Sequence, residues 1–389
     1  MMQGIGEFLP GNHVVLLESG REYFPALADC IRLAVTEIYL ETYIFEDDAT
    51  GRFVAAELAA AARRGVTVRV LVDGFGGRAF PDTLMPGLQD AGVHVLIYRP
   101  EIGRLRFKRH RLRRLHRKLV VIDGRTGFVG GINIIDDMHT PGHMPPRYDY
   151  AVRVEGPLLA PMHATVRRLW EIVAWASLRY RLHDPHRPEI RAEPRGDVEA
   201  AFLVRDNIAH RRDIEDAYLS ALAAARSDAM IACAYFLPGR RFRQALRDAA
   251  ERGVKVVMIL QGRVEYRLLH YASRALYGTL LASGVRIVEY HQSFLHAKVA
   301  VVDGVWATVG SSNIDPFSLL LAREANVVVR NARFAAQLTA SLNRAIARGG
   351  REIRHDRWRR RSLFERALIW LAYAGVRVLI GLSGYGGRH

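Results

Sequence analysis

The chain says one phrase twice. His116-Arg117-Lys118 is followed by the apolar run 119–122, Asp123 and a turn, Gly130-Gly131-Ile132-Asn133. His296-Ala297-Lys298 is followed by the apolar run 299–302, Asp303 and Gly310-Ser311-Ser312-Asn313. Every matched position differs by 180 residues, with no slip from the histidine to the asparagine. Solenoid and propeller units repeat within roughly 50 residues. A period of 180 is the length of a domain. The sequence therefore predicts two homologous domains that share one site.

The flanking text repeats as well. In the first half, helices are expected over 22–36, 53–64 and 84–91, and strands over 38–45, 66–72, 93–98 and 119–122. In the second, helices are expected over 214–225, 242–252 and near Leu280, and strands over 229–237, 254–260 and 285–290. The punctuation matches: Arg64-Gly65-Val66 answers Arg252-Gly253-Val254, and Gly92-Val93 answers Gly284-Val285. Apolar strands alternating with helices argue for α/β layers and a sheet buried on both faces. The expected architecture is a pair of α/β domains related by a pseudo-twofold axis. They occupy 1–182 and 199–350, joined by a proline-rich linker at 183–198 and followed by a basic amphipathic segment at 351–389. A length of 389 residues agrees with two cores rather than one.

Two segments have no counterpart in the other half. Arg104 to Lys118 holds nine Lys or Arg, with Leu105, Phe107 and Leu112 interleaved. It suits an anionic membrane surface, the mouth of a site, or a solvated loop. The second segment is the tail. Over 362–382, Arg359, Arg366, Tyr373 and Arg377 fall on one helical stripe, with Phe364, Leu368, Leu371, Val378, Leu379 and Leu382 opposite. Arg377 and the short apolar run argue against a spanning helix. An interfacial helix and a helix packed on the second domain both demand such an apolar face.

The net charge of +16 directs the chain toward phosphate, in nucleic acid or in anionic lipid. Two cysteines, Cys30 and Cys233, are too few for a disulfide framework or a four-thiolate metal site, and both sit in apolar contexts. The first residues carry no secretory signal pattern.

On a strand, residues two apart face the same way. His116 and Lys118 therefore project together, as do His296 and Lys298. Two halves meeting on an axis assemble two imidazoles and two ammoniums. The ammoniums can hold phosphate oxygens. One imidazole can attack phosphorus, and the other can protonate the leaving alcohol and deprotonate the next. Such chemistry needs no metal or other cofactor. Asn133 and Asn313 are placed as phosphate contacts, with turn fixation as the alternative. Asp123 and Asp303 complete the phrase and are counted with its catalytic set, although each precedes a glycine and suits a turn or cap.

The paired His-x-Lys-x4-Asp phrases, with Leu40-Glu41-Thr42-Tyr43-Ile44-Phe45, Ala234-Tyr235-Phe236 and Ala307-Thr308-Val309-Gly310-Ser311-Ser312-Asn313, resemble the phospholipase D superfamily. Over nearly the whole chain they are similar to bacterial cardiolipin synthases, in the branch without two N-terminal transmembrane helices. The resemblance implies transfer of a phosphatidyl group from one phosphatidylglycerol to another with release of glycerol, no metal cofactor, and a peripheral protein at the cell membrane. It also implies an acid orienting each imidazole: Asp149 for the first copy and Glu324 for the second. By the same analogy His116 attacks and His296 is the acid/base. A phospholipase D hydrolase uses the same residues with water as acceptor. A phosphodiesterase acting on nucleic acid fits the charge, but no nucleic-acid module is recognisable.

Overall fold

The computed structural model describes residues 6–100, 113–140, 144–179, 190, 192–206, 209–263, 267–316, 318, 321–359 and 362–382. The first half runs β1 (Leu9–Glu18), α1 (Ser19–Arg32), β2 (Glu37–Thr42), α2 (Ala49–Arg63), β3 (Thr67–Asp73), α3 (Leu84–Asp90) and β4 (His94–Tyr98). It continues with β5 (Lys118–Ile122), β6 (Thr126–Gly130), β7 (Arg147–Tyr148), β8 (Tyr150–Glu155) and α4 (Leu159–Ala176). The second half runs β9 (Val198–Arg205), α5 (Asp213–Ala224), β10 (Asp228–Cys233), α6 (Arg240–Glu251), β11 (Lys255–Gln261), α7 (Arg267–Arg274), α8 (Tyr277–Ala282) and β12 (Arg286–Tyr290). It closes with β13 (Phe294–Leu295), β14 (Lys298–Val302), β15 (Trp306–Gly310), β16 (Glu324–Arg330), α9 (Ala332–Gly349), β17 (Gly350–Glu352), α10 (His355–Arg359) and α11 (Leu363–Leu382).

Fifteen strands form one sheet, in the order β17-β12-β11-β10-β14-β15-β16-β9-β1-β8-β6-β5-β2-β3-β4. Outward from the centre, one side reads β1, β8, β6, β5, β2, β3, β4. The other reads β9, β16, β15, β14, β10, β11, β12. These are matched strands in the same order, so the pseudo-twofold axis passes between β1 and β9, which pair antiparallel. The α/β expectation holds. Within each half, three strands run parallel (β2, β3 and β4; β10, β11 and β12), and the inner strands are antiparallel.

The sheet carries three cores. On one face Leu119, Val121, Val299 and Val301 join Trp170 of α4 and Leu338 of α9 in a core that crosses the axis. On the other face each half closes its own core: Val120 and Ile122 with Leu27 and Leu58, and Ala300 and Val302 with Phe242 and Leu246. Burying each large apolar side chain stabilises the fold by about 1.5–3 kcal/mol. A core common to both halves therefore resists their separation.

The sequence signals set most elements within a few residues. Strand 38–45 stops at Thr42 because its hydroxyl donates to Ile44 O and the chain peels away. Strand 229–237 stops at Cys233 for the matching reason, the thiol donating to Tyr235 O. Of the expected linker at 183–198, residues 183–189 and 191 lie outside the described residues, and Val198 already opens β9. Most of the basic stretch from Arg104 also lies outside them. Residues Gly350–Glu352 pair with β12, so the sheet extends past residue 350.

Among the described residues no helix is long and apolar enough to cross a membrane. Helix α11 uses two faces. Ile369, Ala372 and Val376 are buried, and Val376 packs with Leu237, Ala272 and Leu276. Trp370 is 55% exposed and Leu371 70%, with Leu368 and Val378 also exposed. The described side chains of the expected apolar stripe (Leu368, Leu371, Val378) are thus outside the packing face. Those of Phe364, Arg366, Leu379, Leu382 and Arg359 lie outside the described residues.

Candidate active site

The repeated phrases lead into β5 and β14, each the fourth strand from the axis on its side. His116 N and Arg117 N donate to Arg323 O, at 2.9 and 2.8 Å. In the other half His296 N donates to Tyr148 O at 2.8 Å, and β13 runs parallel to β7 with Phe294 opposite Arg147 and Leu295 opposite Tyr148. Each histidine segment is thereby stitched to a segment from the opposite half.

That stitching reverses an expectation. The family resemblance pairs His116 with Asp149 and His296 with Glu324. In the structure His116 Nδ1 lies 2.9 Å from Glu324 Oε1, and His296 Nδ1 lies 2.6 Å from Asp149 Oδ2. The acids cross the axis. Matched positions reveal which residues are equivalent, but not whether equivalents meet within a half or across it. Here the backbone bonds from Arg323 and Tyr148 carry each following acid to the other half's imidazole. With Nδ1–H donating to the carboxylate, Nε2 is the lone-pair nitrogen.

The lysines are anchored beside them. Lys118 Nζ donates to His116 O at 2.6 Å. Lys298 Nζ donates to His296 O and lies 3.5 Å from Asp149 Oδ2. Burial, reinforced by the Lys298 charge and opposed by Glu324, brings the Lys118 ammonium down to about 7. Burial also lowers Lys298, against the pull of Asp149. His296 falls to about 3, from burial and then the Lys298 charge, with Asp149 opposing. His116 is lowered by burial, with Glu324 opposing and both lysines adding to the shift. Asp149 stays below the usual carboxylate range, because Lys298 and His296 outweigh the burial that would raise it. Groups from both halves thus act on one another in one pocket.

Several neighbours carry no repeat signal. Ser311 Oγ donates to Glu324 Oε2 at 2.5 Å. Its counterpart is Gly131, where a Cβ would collide with both Asp149 oxygens. The Tyr43 ring lies 4.9 Å from the His116 ring, and Lys118 Nζ 5.5 Å from the Tyr43 centroid. Asp73 accepts from Leu115 N at 2.8 Å and so fixes the approach to His116.

The asparagines divide. Asn133 Oδ1 accepts from Ile44 N at 3.2 Å, which is the turn-fixing role. Asn313 is buried, and among the described residues its Oδ1 has no hydrogen-bond partner.

Asp123 and Asp303 are not in the pocket, a correction to their place in the catalytic set. Each stands at the far end of its strand, about 16 Å from the lysine at 3.3 Å per residue. Asp123 accepts from Val35 N, Thr36 N and Glu37 N, and Asp303 from Arg226 N, Ser227 N and Asp228 N. Both have a φ of 51°, a left-handed conformation that Asp tolerates in turns. They tie the strand's end to the segment entering β2 or β10.

Among the described residues no cluster of His, Cys, Asp and Glu is arranged to hold a metal ion. The pocket's chemistry rests on two neutral imidazoles, each held by a carboxylate, and two buried lysines.

Known proteins share this frame. The model of the family described as cardiolipin synthase, PLD-like domain, matches residues 27–157 and 218–346. Cardiolipin synthase B of Escherichia coli (strain K12) is 38% identical over 386 residues, 96% of this chain and 90% of that one. The major cardiolipin synthase ClsA of Bacillus subtilis (strain 168) is 31% identical over 350 residues, 88% and 70% of the two chains. The crystal structure of phosphatidylserine synthase from Haemophilus influenzae Rd KW20 matches with a TM-score of 0.69 over 98% of this chain and 97% of that one, at 14% identity, a likeness of fold. With both halves matched and the length nearly covered, the chain belongs to the cardiolipin synthase family of the phospholipase D superfamily.

Proposed function

We propose that the chain converts two phosphatidylglycerol molecules into cardiolipin and glycerol. The observation that carries this reading is the crossed pair His116–Glu324 and His296–Asp149, with a buried lysine beside each histidine. Family membership supplies the lipid.

The donor's phosphodiester lies between Lys118 and Lys298, whose charges stabilise the oxygens of the five-coordinate transition state. His116 Nε2 attacks phosphorus. The P–O bond to the glycerol headgroup breaks, and His296 gives its proton to the departing oxygen. His296 is neutral in the free site, and the anionic phosphodiester favours the imidazolium that this step needs. The hydroxyl of a second phosphatidylglycerol then loses its proton to His296 and attacks phosphorus. The P–N bond breaks, and His116 is regenerated. Glu324 and Asp149 stabilise whichever imidazole carries positive charge. Either asparagine would touch phosphate through its Nδ2 donors, Asn133 with its Oδ1 already held by Ile44 N.

The protein works peripherally on the cell membrane. Its net charge of +16 favours an anionic surface, and α11 offers Leu368, Trp370, Leu371 and Val378 to the headgroup layer.

Incubation with phosphatidylglycerol vesicles, followed by lipid separation, tests the reading. Cardiolipin and glycerol are expected in equal amounts. Phosphatidic acid without cardiolipin would replace the synthase with a hydrolase.

A further inference from the structure

The proposed reaction joins two anions. The donor's phosphorus sits between the lysines. The acceptor carries a second phosphodiester at the other end of the glycerol whose hydroxyl attacks. If His296 takes that hydroxyl's proton, the second phosphate lies one glycerol outward from His296, on the same face. A dry pocket would repel it unless a cation waits there.

Strands β7 and β13 supply one. Phe294 pairs with Arg147 and Leu295 with Tyr148, and His296 and Asp149 follow, bonded at 2.6 Å. Residues two apart share a face, so Arg147 projects with Asp149, and Phe294 with His296. Tyr148 and Leu295 point instead into the core that crosses the axis. Arg147 therefore stands about 7 Å outward from Asp149, at 3.3 Å per residue.

Its guanidinium is held in place by two backbone carbonyls and a ring. Nη1 donates to Asp136 O at 3.3 Å and Nη2 to His139 O at 3.2 Å. Its carbon lies 5.5 Å from the Phe294 centroid, and the Phe294 ring lies 5.9 Å from the His296 ring. A guanidinium has five N–H donors in a rigid fork, suited to bidentate phosphate. Arg147 is also among the charges that depress His296.

The other half is different. Tyr148 and Arg323 are the matched backbone acceptors, so the residue matching Arg147 is Ala322. Arg114 matches Phe294, but its guanidinium lies 4.9 Å from the Phe75 centroid and 4.0 Å from Asp73 Oδ1. Such inequality between the two sides matches a transfer in which the two lipids play different parts.

We propose that Arg147 holds the phosphate of the acceptor lipid and so selects an anionic glycerol over a neutral alcohol or water. The inference rests on the phosphatidyl-transfer reading above.

Two measurements test it. In wild-type protein, sn-glycerol 3-phosphate should exceed glycerol as a soluble acceptor by about tenfold or more in kcat/KM, the worth of a charge-assisted bond. In Arg147→Gln, cardiolipin formation should fall about tenfold or more relative to exchange of labelled glycerol into phosphatidylglycerol, and Arg147→Lys should recover much of the ratio. No preference between the two acceptors in wild-type protein overturns the proposal, and this readout is independent of any folding defect in the variants. A folded Arg147→Gln in which both reactions fall together also overturns it. Wild-type protein that yields phosphatidic acid and no cardiolipin would instead overturn the functional reading, and this inference with it.

Discussion

Glu324 Oε1 lies 2.9 Å from His116 Nδ1, although 208 residues separate them. Together with the 2.6 Å bond between Asp149 and His296, this makes each half of the site depend on the other. Neutralising either acid while keeping its shape should leave the wrong tautomer in place. For Asp149→Asn and Glu324→Gln, kcat is expected to fall by about 10²–10⁴, with a smaller change in KM. Steady-state kinetics on folded variants checks this. A fall of less than threefold in both would remove the acids from the chemistry.

The lysines set a pH dependence. A cation is needed to hold phosphate, and Lys118 stands at about 7 in the free site. Its ammonium is present below that pH and lost above it. On this account kcat/KM declines as pH rises through about 7. Bound phosphodiester favours the cation, so the same limb should lie at higher pH in kcat. A kcat/KM that stays flat to pH 9 would contradict this.

Asp123 and Asp303 should act on stability rather than chemistry. Asp123→Ala leaves the backbone N–H groups of Val35, Thr36 and Glu37 without their acceptor. A loss of about 1–3 kcal/mol is expected, read as a lower midpoint in urea. Backbone hydrogen bonds hold the folded carboxyl of Asp123 below its ordinary range despite the burial that raises it. Its contribution is therefore present above the unfolded carboxylate's pKa and is lost as pH falls through the lower folded value. Activity per folded molecule should stay within a few fold of wild type. A hundredfold loss in a folded variant would return Asp123 to the active site.

Helix α11 separates binding from turnover. Trp370→Ala with Leu371→Ser removes exposed apolar surface while keeping the buried Ile369, Ala372 and Val376. Sedimentation with anionic vesicles should weaken by about a hundredfold or more, from roughly 1.5–3 kcal/mol of burial for each of the two side chains. Turnover of detergent-dispersed phosphatidylglycerol should fall far less. Equal losses in both assays would place the effect in the fold.

Much of this was legible as local pattern. Arg64-Gly65-Val66 and Arg252-Gly253-Val254 end helices because each glycine takes a left-handed φ, 93° and 92°. The His-x-Lys spacing brought both side chains to one site, although only the lysines lie on strands, as the first residues of β5 and β14. Long-range pairing was not legible. Strand β1, with its alternating burial, joins the halves by pairing with β9, yet nothing in residues 9–18 names that partner. Helices α4 and α9, which cover the shared core, lie outside the elements that the local pattern predicts. Asp149 and Glu324 were found only by resemblance, and their crossing depends on backbone bonds to Arg323 and Tyr148 that have no sequence period. Ser311 and Gly131 differ at a matched position because a longer acid leaves room for a hydroxyl where the shorter one does not.

The central claim is that one site is built from both halves. Cardiolipin formation by His116→Ala and by His296→Ala, each on folded protein, tests it most directly. Each substitution alone is expected to lower the rate by about 10³-fold or more, since nucleophile and acid/base act as a unit. Half of the wild-type rate in either variant would mean two independent sites and would contradict the account.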